Sequence, residues 1–189
     1  MASPLHNGEG GGAASASAHP STPPSPAHHH RRRLHLFTLL LRLVTFGFAL
    51  AAVIVTATIS SPSWLRFHSF RFVLAANAIV AAYSLFETCA SVYQILTGGA
   101  TLFPEPMQLL FDFAHDQAFA YMAMAAGAAG AADARRVRGG GACEGGFCVQ
   151  ADIAVAMGLA AFGFLASTAL VTGYRIAGYL TTGSRQETW

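Results

Sequence analysis

Beyond residue 33 the chain is a succession of long apolar runs separated by short polar breaks, at about 34–59, 72–96, 107–132 and 153–174. About 20 apolar residues at 1.5 Å rise each cross about 30 Å of hydrocarbon, so every run is long enough for a transmembrane helix. The breaks, SSPSWLRFHSFR, TGGATLFPEP and DARRVRGGGACEGGFCVQ, are rich in Gly, Pro and Ser and read as turns. Short turns make consecutive helices antiparallel neighbours. The pattern therefore predicts an all-α membrane protein, a four-transmembrane-helix up-and-down bundle over 34–175, with both termini on one side of the bilayer. Residues 1–33, with runs such as GEGGG and STPPSP, have too little apolar surface to fold and read as a disordered tail; residues 176–189 form a short C-terminal tail.

Composition strengthens this picture. The 189 residues are 53% hydrophobic and only 11% charged, and the mean hydropathy of +0.45 is well above that of an average soluble domain. There is no lysine, so all eleven basic residues are Arg, and a net charge of +2 is too small to indicate a nucleic-acid partner. The first apolar run follows a long polar tail and exceeds a signal-peptide core in length, which identifies it as a retained anchor. The segment HHHRRR ahead of it suits anionic head groups better than a metal. Arg residues near the helix ends divide evenly between the two faces; the cluster Arg31, Arg32 and Arg33 before the first span tips the reading towards cytoplasmic termini.

Four charges lie where hydrocarbon is expected: Arg42 in the first span, Glu87 in the second, Asp112 and Asp116 in the third. Each costs about 2.5–3.5 kcal/mol at a helix centre on insertion scales, so such groups pair or face a polar interior. Counting 1.5 Å per residue from the span ends puts Arg42, Glu87 and Asp116 all about 12–14 Å from the same face, with Asp112 one turn shallower than Asp116. The favoured reading is a buried Arg42–Asp116 ion pair that selects helix packing, with Glu87 hydrogen-bonded or protonated beside it. A proton or ion pathway through Glu87, Asp112, His115 and Asp116 is the alternative, which would make the protein a channel or transporter. Against it, the third span beyond Ala118 is almost entirely Ala, Gly, Met and Phe, with no polar stripe to continue a wet path.

Small residues recur at four-residue spacing, Ala123, Gly127 and Ala131 in the third span and Gly163 and Ser167 in the fourth, a pattern for close helix contact within one bundle or between protomers. Trp64, Phe67, Phe70 and Phe72 read as interfacial anchors. No HExxH, GxSxG, Walker A or strand-borne GxGxxG pattern is present, so no catalytic, cofactor or metal residues are assigned and the chain reads as non-enzymatic. Its three cysteines fit no zinc spacing; Cys143 and Cys148 are near enough to bridge, and the sequence leaves that open.

The combination of Arg42, FRFVLAANAIVAAYSLFE over 70–87, TLFPE before the third span, FDFAHDQAFAYM around Asp116 and FCVQADIA entering the fourth resembles the plant Casparian strip membrane domain protein-like family, and is most similar to its members with long Pro-rich N-terminal tails. The likeness covers about 42–174. It implies a multi-pass plasma-membrane protein with cytoplasmic termini that forms homo- or heteromers with related four-span proteins and builds membrane scaffolds, sometimes with local cell-wall modification. It places the family's signature Arg and Asp on Arg42 and Asp116, and its paired outer-loop cysteines on Cys143 and Cys148. The founding members, which organise the Casparian strip, carry a longer, distinctive first outer loop than SSPSWLRFHSFR, and the sequence leaves a part in Casparian strip formation open.

Overall fold

The computed structural model describes residues 26–59, 68–97, 105–141, 143 and 146–182, with side chains from residue 33 onward except those of 105, 106 and 182. The Pro-rich residues 1–25, with Trp64, Phe67 and the last seven residues, lie outside the described residues. The described chain is four helices: α1 (Pro26–Ala57), α2 (His68–Leu96), α3 (Glu105–Gly139) and α4 (Phe147–Thr182).

Each helix outruns its apolar run. α1 already begins at Pro26, inside the segment read as tail, and α3 continues through Arg135, Arg136 and Arg138, read as loop. A helix satisfies its own backbone hydrogen bonds and can continue into polar surroundings where exposed Arg side chains are solvated. Hydropathy marks the hydrocarbon stretch rather than the helix. Pro is a favourable opener for α1, because its missing N–H would be an unpaired one anyway. Beyond Gly139 the chain reverses through Gly141 and Gly146, both at positive φ (72° and 81°) where a Cβ would be strained. The carbonyl of Gly146 then accepts from the N–H groups of Val149 and Gln150, at 3.1 Å each, to open α4.

Three helices are long and apolar enough to cross a membrane on length and composition: Arg33–Ala57, His68–Leu96 and Phe147–Thr181. α3 is comparably long but less apolar, since its Ala and Gly contribute little hydropathy and Asp112, Asp116 and Asp133 subtract from it.

Packing orders the helices in a ring, α1 against α2 and α4, α3 against α2 and α4, so that α1–α3 and α2–α4 are the diagonals. The α2–α4 diagonal is pinched: a Cβ on Gly158 would sit 2.9 Å from Asn77 Nδ2. The backbones of α1 and α3 stay apart.

The interior is built from small residues, among them Ala49, Ala52, Ala126, Ala151, Ala154 and Ala161, all fully buried. Large apolar side chains such as Leu40, Ile54, Phe86, Leu110, Leu170 and Leu180 point outward. A water-soluble bundle would reverse this arrangement; with lipid outside, backbone approach through small residues replaces the hydrophobic drive between helices. Gly127 and Gly130 show it directly, since added Cβ atoms would lie 2.5 Å from Leu159 Cδ2 and 2.7 Å from Val73 Cγ2 respectively. The α3 small-residue stripe thus works inside the bundle, whereas Gly163 has open space around it and Ser167 is exposed. Buried hydroxyls return to their own helices: Thr45 donates to Leu41 O at 2.8 Å, Thr56 to Ala52 O at 2.7 Å and Thr172 to Thr168 O at 3.0 Å.

One sequence expectation needs correction. Phe70 is not an interfacial anchor: it is fully buried, edge-on to Phe147 with ring centroids 5.7 Å apart, in a core cluster with Ile59, Val137 and Cys148. It opens α2 on that helix's inward stripe of Phe70, Val73, Asn77 and Val80, which outweighs the preference of aromatic rings for the interface. Phe72, two residues on, does face outward.

Candidate functional site

The only charged side chains buried in the described interior belong to one cluster, and three helices supply it. Arg42 sits on the inward face of α1 and is 3% exposed. Its Nη1 donates to Glu87 Oε2 on α2, and its Nη2 reaches Asp116 Oδ2 on α3 at 3.4 Å. Asp112 Oδ2, one turn from Asp116, lies 3.9 Å from the same Nη2. Asp116 is wholly inaccessible and Glu87 nearly so, whereas the Asp112 side chain keeps 19% of its surface. The structure therefore brings together all four intramembrane charges singled out above.

The expected pairing of Arg42 with Asp116 is present, with Glu87 hydrogen-bonded beside it: the guanidinium gives Nη1 to Glu87 and Nη2 to Asp116. A planar fork serves two carboxylates on different helices in this way, which an ammonium does not. Because α1 and α3 do not approach through their backbones, the Arg42–Asp116 contact is a side-chain strut across the wide diagonal, just as Asn77 against Gly158 closes the narrow one.

Sequence reasoning missed Tyr83. Its hydroxyl donates to Asp116 Oδ1 at 2.7 Å, satisfying the carboxylate oxygen that Arg42 does not reach. Tyr83 falls one turn before Glu87 on α2, and that i, i+4 spacing was the available signal. Around it lie His115, whose Nδ1 is 2.9 Å from Phe111 O, and Phe119, whose ring centroid is 4.5 Å from that of Tyr83. His115 thus belongs to an aromatic packet between α2 and α3. Replacing Tyr83 by Phe is expected to cost about 1 kcal/mol, the scale of an interhelical hydrogen bond in a membrane. Thermal unfolding of the detergent-solubilised chain checks this, and an unchanged midpoint would show that the hydroxyl adds nothing.

Among the described residues no three His, Cys, Asp or Glu side chains are grouped to hold a metal ion; the three carboxylates converge on a guanidinium instead. On the side of the cluster towards the middle of the bundle, the interior holds Ala49, Val80, Ala120, Ala123, Ala161 and Leu165, with the hydroxyls of Thr45, Ser84 and Thr168 as its uncharged polar groups.

At the opposite end, Cys143 and Cys148 form a disulfide with Cα atoms 5.4 Å apart, tying the turn to the first residues of α4. Arg138 near the end of α3 pairs with Asp152 on α4 above it. Cys148 is buried in the Phe70 cluster, so the bridge fastens the turn to the core.

An all-helical bundle with lipid-sized side chains outside, small residues inside and its intramembrane charges closed on one another is a multi-pass membrane protein. Residues 31–164 match the Casparian strip membrane protein domain, and the chain belongs to that family. It is similar to CASP-like protein 4C1 of Ricinus communis, 48% identical over 153 residues covering 80% of this chain and 78% of that one. It is likewise 48% identical to CASP-like protein 4C1 of Arabidopsis thaliana, over 78% of each chain. Against CASP-like protein 4C2 of Populus trichocarpa it is 46% identical over 78% of this chain and 81% of that one. No solved structure matches it.

Proposed function

We propose that this protein is a non-enzymatic scaffold of the plasma membrane, with cytoplasmic termini, that assembles with copies of itself or with related four-span proteins. The observation that carries this reading is the direction of the buried charges. Arg42 spends its donors on Glu87 and Asp116 of the same chain, and the neighbouring interior is mostly Ala, Val and Leu and carries no further charge among the described residues. A charge set of this kind fixes the shape of a bundle, and a fixed shape is what repeated assembly needs. A channel or transporter would turn its carboxylates towards a path continuing across the membrane, and here the path would meet the apolar layer around Val80, Ala120 and Leu165. Cytoplasmic termini are supported by Arg31, Arg32 and Arg33 ahead of the first span, and the Cys143–Cys148 bridge suits the oxidising outer side. Membership of the Casparian strip membrane protein domain family supports the same reading.

The test is co-purification of two differently tagged full-length copies from plant membranes, combined with fluorescence recovery after bleaching at the cell surface. Co-purification with slow recovery is the expected result. Copies that do not associate and diffuse freely would remove the scaffold reading, and carboxylate-dependent ion flux in proteoliposomes would replace it.

A further inference from the structure

We infer that two copies of this chain dock through the outer α3–α4 face and that the Gln117 side chains hydrogen-bond to each other at the contact. The inference rests on the scaffold reading and locates the surface that reading requires.

Gln117 lies ten residues past the start of the third apolar run, about 15 Å along the helix and so near the middle of a hydrocarbon layer about 30 Å thick. It is partly exposed on α3, and among the described residues its amide has no hydrogen-bond partner. The larger polar side chains near this depth behave differently: Arg42, Tyr83 and Asp116 have bonds within the chain, as does Thr168, and Ser84, whose hydroxyl has no partner, is buried inside the bundle and not turned to lipid. Lipid tails cannot serve an amide, and lipid head groups lie a helix half-length away.

Two contacts fix the local register. An added Cβ on Gly173 would meet Phe113 at 2.9 Å, and one on Gly127 would meet Leu159 at 2.5 Å. In this antiparallel pair the residue numbers at one level have a constant sum, which sets Gln117 level with Ala169 and Phe119 level with Ser167. Gln117 follows Phe113 by one turn, on the flank of α3 that turns past α4 towards the outside. On α4, about two residue rises deeper, the outer surface carries Ser167, exposed and bonded to the carbonyl of Gly163 at 2.8 Å, and one turn further Gly163, which has open space beside it. Exposed Tyr121 and Leu170 stand at its edges. An unpartnered amide thus shares the outer face with small residues, which let another helix come close.

The occupant is a second copy rather than another polar partner because of symmetry. Copies inserted in the same direction relate by a two-fold axis along the membrane normal, so each residue near that axis meets its own counterpart at equal depth. A primary amide is both donor and acceptor and is self-complementary across such an axis; a carboxylate or guanidinium is not.

The experiment uses the full chain in plant membranes with Cys89→Ala, which removes the exposed free thiol, and Gln117→Cys. Mild oxidation is expected to give a disulfide-linked dimer, since bridging needs Cα atoms within about 7 Å of each other. Ile54→Cys in the same background, on the outer face of α1, is expected not to cross-link. Gln117→Leu should weaken co-purification of tagged copies about tenfold while surface delivery is unchanged, and Gln117→Asn should restore part of it. Copies that still co-purify, but with no cross-link at residue 117 and no loss in Gln117→Leu, would overturn this interface and leave the scaffold reading standing. Copies that never associate would overturn both.

Discussion

Arg42→Met is expected to prevent most of the protein from reaching the cell surface. The substitution roughly keeps the volume and removes the one cation that Glu87, Asp116 and Asp112 share, leaving Glu87 and Asp116 buried without a counter-charge. Breaking a buried ion pair from one side costs about 3–5 kcal/mol, a large part of the stability of a domain this size. Surface labelling of the tagged chain, with thermal unfolding of whatever is solubilised, measures the loss. Arg42→Lys should be intermediate, because one ammonium cannot hold Glu87 and Asp116 as the two guanidinium nitrogens do. The triple variant Arg42→Met, Glu87→Gln, Asp116→Asn should recover much of the delivery, since the cost lies in the unpaired charge and not in the absence of the pair. Wild-type delivery of Arg42→Met alone would mean that the cluster is not a structural element.

Gly130→Ala is expected to destabilise by about 1–3 kcal/mol, the range for overfilling a packed interior. Its new methyl would lie 2.7 Å from Val73 Cγ2 on α2 and 2.9 Å from Val155 Cγ2 on α4, so it is caught between two helices. β-Branched side chains have one comfortable rotamer in a helix and do not swing aside. Gly127→Ala provides the comparison. There the added atom meets the far end of Leu159 at 2.5 Å, a flexible side chain that is itself partly exposed, and the loss should be smaller. Unfolding midpoints of the two variants decide the matter, and Val155→Ala should rescue Gly130→Ala in part. If Gly127→Ala proves the more damaging, the helices are less tightly held around Gly130 than these distances indicate.

Much of this architecture was legible in the sequence, for identifiable reasons. Hydropathy locates the four helices because a bilayer imposes one length scale. Equal depths for Arg42, Glu87 and Asp116 follow from a constant rise per residue, and that arithmetic brought them to one layer without a structure. Depth says nothing about azimuth, however. Whether Glu87 or Asp116 lies closer to the guanidinium depends on helix rotation, and here the ring order puts α2 beside α1 and α3 across from it. Tyr83 was missed for a related reason: a tyrosine in an apolar run reads as part of the lipid surface until its hydroxyl is seen to point at a carboxylate. Phe70 was misread because a helix that begins at His68 extends the buried face past the point where hydropathy ends it. The different uses of Gly127 and Gly163, identical as sequence features, likewise require knowing which face of each helix is turned inward.

The cluster has a further consequence, in time rather than in space. Its members are spread along the chain, Glu87 45 residues after Arg42 and Asp116 74 residues after it. As the chain is synthesised from its N-terminus, α1 enters the membrane carrying a cation whose nearest partner has not yet been made. The first span is therefore an incomplete passenger until the second arrives, and the second brings a carboxylate with needs of its own. Only when the third helix comes in does the set close. A ribosome stalled or a chain truncated between residues 97 and 112 would leave a bundle that has not yet met its third helix, open to recognition by the machinery that retains unassembled membrane proteins.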